Sequence, residues 1–456
     1  MHHGDVELAG DALQGVDRSL HRRHGLVDRT DLAEPTAPVE RTAPTGPAGP
    51  TTPTGPAGPI APTGRIRHQC EHMFDTTRIA RDRKPAPGTY LGPMGRDAVV
   101  VSYRLGGHDG VSVEARKWAG ALRELGFTVR RVAGEIEDGG EPGDLVVPGL
   151  AMAATEPPDP GTLAGALDGA DLVVVENVCS LPLNADAART VAKVVAEHPA
   201  RVVFHHHDLP WQRRSLAGLE HEFPPRTPGA LHVTVNLRSR RELEARGYTA
   251  PVTLPNFFDL DPVPGDRDGT RAHLGFARDE LVVLQPARAI ERKNVPGGVR
   301  FAARLAELLP GTEVRYWLSG PAEDGYQPTL DRVVARAAVP VTIGRAPSVA
   351  DAYAACDVVV FPSTWEGFGN PTIESIAHGR PCAAARYPVL AEILATGVRL
   401  FSTDHPETLV RFLAEPPERR ARYFEVNRAR ARLSYDLAML PAALDAAFAA
   451  HGWLSW

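Results

Sequence analysis

The stretch Asp357-Val358-Val359-Val360-Phe361-Pro362-Ser363-Thr364-Trp365-Glu366-Gly367-Phe368-Gly369-Asn370-Pro371-Thr372-Ile373-Glu374 decides the fold of this chain. A valine-rich run ending at Phe361 reads as a buried parallel strand. A glycine-containing loop follows, and Pro371 stands where a first-turn proline opens a helix. This is one strand-to-helix unit of an α/β sheet, with the helix N-terminus at the carboxyl edge. Gly367 and Gly369 let backbone amides come close to a ligand, and those amides together with the helix dipole favour a diphosphate. Glu374, in the first turn, is placed to accept hydrogen bonds from sugar or ribose hydroxyls.

Working outward, the same grammar repeats. Leu281 to Pro286, Val314 to Ser319, Val341 to Ile343 and Cys382 to Ala385 are further short apolar runs separated by helical patterns. An earlier series comprises Ala98 to Ser102, Leu172 to Glu176, Val202 to His206 and His232 to Val235, with a helix predicted over Val113 to Leu125. The expected architecture is α/β: two Rossmann-like, doubly wound domains facing a central cleft, where such sheets bind ligands. The boundaries expected are 94–258 for the first domain, 259–430 for the second, and 431–456 for a C-terminal helix packing back on the junction. The heptad Pro-Thr-Gly-Pro-Ala-Gly-Pro occurs at Pro44 to Pro50 and at Pro53 to Pro59. Such a tract cannot form a core, so residues 1–93 are expected to be a disordered extension, with Met73 and Met94 as alternative starts.

A formal net charge of -6 over 456 residues offers no basic footprint for nucleic acid. No run approaches the roughly eighteen apolar residues of a spanning helix, and the first residues do not read as a signal peptide, so a cytoplasmic protein is expected. Cys70, Cys179, Cys356 and Cys382 form no Cys-x-x-Cys pair, which disfavours a disulfide framework or a structural zinc site.

The run Pro-Ser-x-x-Glu-Gly-Phe-Gly-x-Pro-x-x-Glu-Ser resembles the signature of the retaining glycosyltransferases of family 4, which have the GT-B fold and carry two glutamates with seven residues between them. Glu366 and Glu374 meet that spacing. The resemblance implies that Glu374 binds the ribose, that Glu366 lies beside the donor sugar and phosphates, and that Gly367, Phe368, Gly369 and Asn370 of the loop bind the donor as well. Asn370 stands where the family usually has an apolar residue. The segment Gln285 to Asn294 carries Arg288 and Lys293, five residues apart as are the family's arginine and lysine. Fixed cations there would stabilise a leaving diphosphate without a metal.

Other candidates belong to the first domain. The turn Gly106 to Ser112 is similar to the family's cleft-crossing loop, so Gly107 and Gly110 are candidates for donor contact, with a purely conformational role as the alternative; the run Gly107 to Glu114 also resembles that of enzymes making mannosylated glycerate-type solutes. Strand alternation puts His205 and His207 on one face, which would suit a metal, but no third ligand is evident nearby. By position His207 is the candidate for the family's donor-pocket histidine, with His206 next. Asn256 in Pro255-Asn256-Phe257-Phe258-Asp259 reads as a structural crossover residue. Asp259-Leu260-Asp261 matches a metal-holding Asp-x-Asp only formally. Arg419, Arg420, Arg422, Arg428, Arg430 and Arg432 read as a solvated helical face, with peripheral membrane contact as the alternative.

The function expected is transfer of a sugar from a nucleotide-diphosphate sugar to a small-molecule or glycan hydroxyl, with retention. It needs no metal and no cofactor beyond the co-substrate. The alternatives are an epimerase or hydrolase of nucleotide sugars on the same frame, or a nonenzymatic nucleotide-sugar binder.

Overall fold

The computed structural model describes residues 96–453. The expected extension and Cys70 lie outside them. The first sheet has seven parallel strands, β1 (Arg96–Leu105), β2 (Phe127–Ile136), β3 (Leu145–Val146), β4 (Leu172–Glu176), β5 (Arg201–His206), β6 (Leu231–Thr234) and β7 (Val252–Thr253), in the order β3-β2-β1-β4-β5-β6-β7. The second has six, β8 (Leu281–Gln285), β9 (Val314–Leu318), β10 (Val341–Ile343), β11 (Val358–Phe361), β12 (Cys382–Ala384) and β13 (Phe401–Ser402), in the order β10-β9-β8-β11-β12-β13. The order reverses beside the first strand of each sheet, between β1 and β4 and between β8 and β11. Those are the switch points at which doubly wound sheets open a crevice.

Both faces of each sheet are covered, which is why the strands read as unbroken apolar runs. In β1, Val99 and Val101 pack with Val173, Val175 and Phe204 under the helices Pro160–Leu167 and Ala185–Glu197. The alternate residues Ala98 and Val100 pack with Trp118 and Leu122 of the helix Gly110–Glu124. The second domain repeats the arrangement, with Val283, Val358 and Val360 on one face and Val282, Leu284 and Val359 on the other. Strand β2 was not expected from the sequence, because Arg130 and Arg131 interrupt its apolar run. The structure balances Arg131 with Asp138 and Asp144, at 2.7 and 2.6 Å.

The chain crosses between the sheets twice, side by side. Phe258 N–H donates to the Tyr435 carbonyl at 2.7 Å, and Leu437 N–H donates to the Phe258 carbonyl at 2.9 Å. Between these crossings, Asp261 is ion-paired with Arg432 and Leu260 is buried, so the formal Asp-x-Asp is part of the crossover. After the helix Pro417–Tyr435, the last helix, Leu440–Ala450, packs Leu440, Leu444, Ala447 and Phe448 into the first domain's core. Leu444 is fully buried there. Leu444→Ala is expected to destabilise the protein by about 2–5 kcal/mol, through lost transfer energy plus a cavity, as measured by denaturant unfolding. Among the described residues no helix is long and apolar enough to cross a membrane.

Candidate functional site

The site is assembled from loops at the carboxyl ends of β1, β4 and β5 on one side and of β8 and β11 on the other. After β8 a single 3-10 turn, Glu291–Lys293, ends at Asn294, whose backbone is left-handed with φ 50°. Asn294 caps the helix Val295–Leu308 and its side-chain amide donates to the Pro362 carbonyl at 3.1 Å. Gln285, at the end of β8, donates to the Lys293 carbonyl at 2.8 Å, and Thr364 N–H donates to the Arg292 carbonyl at 2.9 Å. The two loops are therefore stitched together before any side-chain charge is considered.

At their junction lies Glu366, 6 % exposed. Its Oε1 accepts from Lys293 Nζ and its Oε2 from Arg292, both at 2.6 Å. Burial alone would raise the Glu366 pKa, but the charges of Lys293 and Arg292 outweigh it and hold the carboxyl at about 2. Burial pulls the Lys293 ammonium down, and its net shift is downward although Glu366 opposes it. Arg288, expected with Lys293 at the diphosphate, bonds Glu323 at 2.5 Å and is about one-third exposed, and its charge also acts on Lys293 and Asp109. Arg292 is the cation the sequence reading missed. Two arginines, Arg288 and Arg292, fall within Ala287 to Asn294, and spacing alone does not say which one the 3-10 turn brings round.

Glu374, in the helix Pro371–Ala377, accepts from the Tyr353 hydroxyl at 2.7 Å. Burial raises its pKa; the Tyr353 bond, Lys117 and Lys293 oppose that, while Glu114 adds to it. The glycines of this loop serve packing as well as any ligand. A methyl group on Gly367 would collide with the His207 carbonyl oxygen, and one on Gly369, at φ 104°, with the Tyr387 hydroxyl. The Phe368 side chain turns away from the charges and packs on Phe258 and Tyr435. It lines a small apolar cavity at the crossover with Leu254, Phe257 and Ile393, so only its backbone remains available to the loop.

From the first domain, the turn after β1 places Gly106 at φ 78°. A methyl at Gly107 would sit 2.9 Å from the mobile end of Glu137, and one at Gly110 would meet nothing within 4 Å. Asp109 caps the helix Gly110–Glu124 through Val111 and Ser112. Burial opposes its ionisation, yet the Ser112 bonds and the charges of Arg104 and Arg288 leave its pKa lowered.

Parallel pairing of β4 with β5 sets Glu176 opposite His205. The Glu176 carboxylate meets His205 Nδ1 at 2.9 Å and His207 Nε2 at 2.6 Å. This is the third group that the sequence did not reveal. One nitrogen or oxygen atom from each of the three residues lies within 4.8 Å of the others; Glu176 bonds one nitrogen of each ring, while His205 Nε2 is buried without a partner among the described residues. His206 points the other way, to Ser180 and His232. The two domains meet around these residues. Trp365 donates to Asp208 at 3.0 Å, Asn236 donates to the Gly367 carbonyl at 2.6 Å, and Glu392 accepts from Leu237 and Arg238 N–H at 2.7 and 2.9 Å. Asn370 joins Asn256 at 2.7 Å and Glu114 at 3.4 Å, so Asn256 belongs to the domain junction itself.

Residues 282–415 match the family model described as glycosyl transferases group 1. The second domain is therefore similar to that of the group 1 glycosyltransferases. The chain is 26 % identical to the mannosylglucosylglycerate synthase of Thermotoga maritima, over 66 % of this chain and 84 % of that protein. It is 37 % identical to the D-inositol 3-phosphate glycosyltransferase of Rhodococcus erythropolis over a shorter part, 27 % of this chain and 29 % of that one. The chain shares its two-domain GT-B fold with HepE of Anabaena, solved with UDP and glucose. The TM-score is 0.59 at 17 % identity, covering 78 % of this chain and all of that one.

Proposed function

We propose that this protein is a glycosyltransferase that moves a hexose from a nucleoside diphosphate sugar to a hydroxyl acceptor with retention at the anomeric carbon. The observation that carries the reading is the buried Glu366 shared by Arg292 and Lys293. Two cations held by one carboxylate leave a net positive centre, pre-oriented in a site with little water, where a leaving diphosphate develops charge. In the proposed reaction the bond from the anomeric carbon to the diphosphate oxygen breaks, and the acceptor oxygen bonds to the same face of that carbon. The acceptor proton passes to the departing phosphate. Arg292 and Lys293 neutralise the leaving group, and Glu374 and His207 hold hydroxyls of the donor.

A relative matched over most of its length is named a mannosylglucosylglycerate synthase, so GDP-mannose with glucosylglycerate is the first pair to assay, beside UDP- and ADP-sugars. Nucleotide release that requires the acceptor, together with a product of unchanged anomeric configuration, is the expected result. A free epimer or free sugar formed at full rate from donor alone would replace this reading with the isomerase or hydrolase one. Lys293→Ala is expected to lower kcat by about 10²–10³. Arg288→Ala, whose charge is partly solvated and already paired, is expected to lower it by no more than about tenfold.

A further inference from the structure

The geometry points to Glu176 as the positioning residue for His207, fixing the ring so that Nε2 carries a proton into the sheet and Nδ1 is presented to the cleft. The inference rests on the transfer reading above for its meaning, but not for its geometry. Glu176 ends β4 and is fully buried. The next residue, Asn177, has φ 64°, an uncommon backbone for a non-glycine residue. Strain of that kind is kept where its surroundings over-determine it. Here the distorted turn lets Asn177 Oδ1 accept the His207 N–H at 3.1 Å and Asn177 N–H donate to the His205 carbonyl at 3.0 Å. Glu176 and Asn177 thus hold His207 by its ring and by its backbone.

An ionised carboxylate only accepts hydrogen bonds. Both nitrogens that face Glu176 must therefore carry protons, Nδ1 of His205 and Nε2 of His207. His205 is kept in place by stacking on Trp118 with ring centroids 4.2 Å apart. Nδ1 of His207 has no hydrogen bond among the described residues and belongs to a side chain 11 % exposed at the cleft. The charged groups facing the ring are Glu176 from β4, Glu114 from the helix Gly110–Glu124 and the adjacent Asp208. Burial opposes protonation, but the Glu176 bond and these carboxylates leave the His207 pKa raised. A protonated ring offers Nδ1–H as a donor to a sugar hydroxyl or phosphate oxygen.

The experiment uses the full chain with 15N-labelled histidine rings and reads nitrogen shifts at neutral pH, beside steady-state kinetics. In the wild-type protein His207 Nε2 is expected to be protonated; a ring with an unprotonated Nε2 overturns the assignment with no variant needed. Glu176→Leu, which removes the acceptor at similar volume, is expected to lose that signature and to lower kcat about 10–100-fold with little change in donor KM. Glu176→Gln keeps an acceptor and is expected to restore the Nε2 proton and part of the rate. Wild-type ring shifts and rate in Glu176→Leu would also overturn it. Because the spectrum requires no substrate, failure of the transfer reading and failure of this one are told apart.

Discussion

Glu366→Ala is expected to abolish most activity, by about 10²–10³ in kcat, and at the same time to destabilise the fold by about 3–5 kcal/mol. The second effect follows from leaving Arg292 and Lys293 close together in a buried site without their shared counter-charge. The wild-type pH dependence carries the same signature. Folding depresses the Glu366 carboxyl to about 2, below its ordinary range near 4. Its contribution is therefore fully present above the unfolded value and is lost as the pH falls through that value toward the folded one. Urea unfolding of Glu366→Ala should consequently show a shallower loss of stability between about pH 4.5 and 2 than the wild-type chain. Buried Glu176, also held at about 2, continues to contribute acid sensitivity in both proteins. An unchanged slope would mean that the two cations do not hold Glu366 ionised.

Gly367→Ala is expected to cut turnover at least about 10²-fold while leaving each sheet intact. The added methyl group meets the backbone carbonyl of His207 across the domain junction. A carbonyl at the end of a seven-stranded sheet cannot rotate aside as a side chain would, so the loop or the whole domain must move. Either movement breaks the Asn236 bond to the Gly367 carbonyl and separates Glu366 from the His207 side of the cleft, and misplacement of about 1 Å is enough for a loss of this size. Small-angle scattering should show an enlarged radius of gyration, and far-ultraviolet circular dichroism should be unchanged. Wild-type turnover would show that the closeness of Gly367 to His207 has no part in the reaction.

The unit from Val358 to Glu374 could be read directly because its information is local: an apolar strand, a glycine loop and a proline at the first helical turn lie within one contiguous segment. The two-sheet architecture followed from the restart of the same pattern after the crossover. What could not be read was set by pairing between distant segments. Glu176 and His205 are brought together by the register of β4 against β5, and no spacing along the chain encodes that. Arg292 rather than Arg288 reaches Glu366 because of the single 3-10 turn ending at Asn294. Phe368 sits inside the ligand-loop motif but faces the crossover with Phe258 and Tyr435, since a loop between two sheets must also bury its own apolar residue. Asn370 departs from the usual apolar residue because the structure gives it two polar partners, Asn256 and Glu114.

Calorimetric titration of UDP, GDP and ADP into the wild-type chain and into Lys293→Ala tests the diphosphate site most directly. The account predicts saturable one-to-one binding of at least one nucleotide and a Kd roughly 10–100-fold weaker in the variant, the size of one lost charge-assisted hydrogen bond. Binding of equal strength in both proteins, or of none of UDP, GDP and ADP to the wild-type chain, would contradict it.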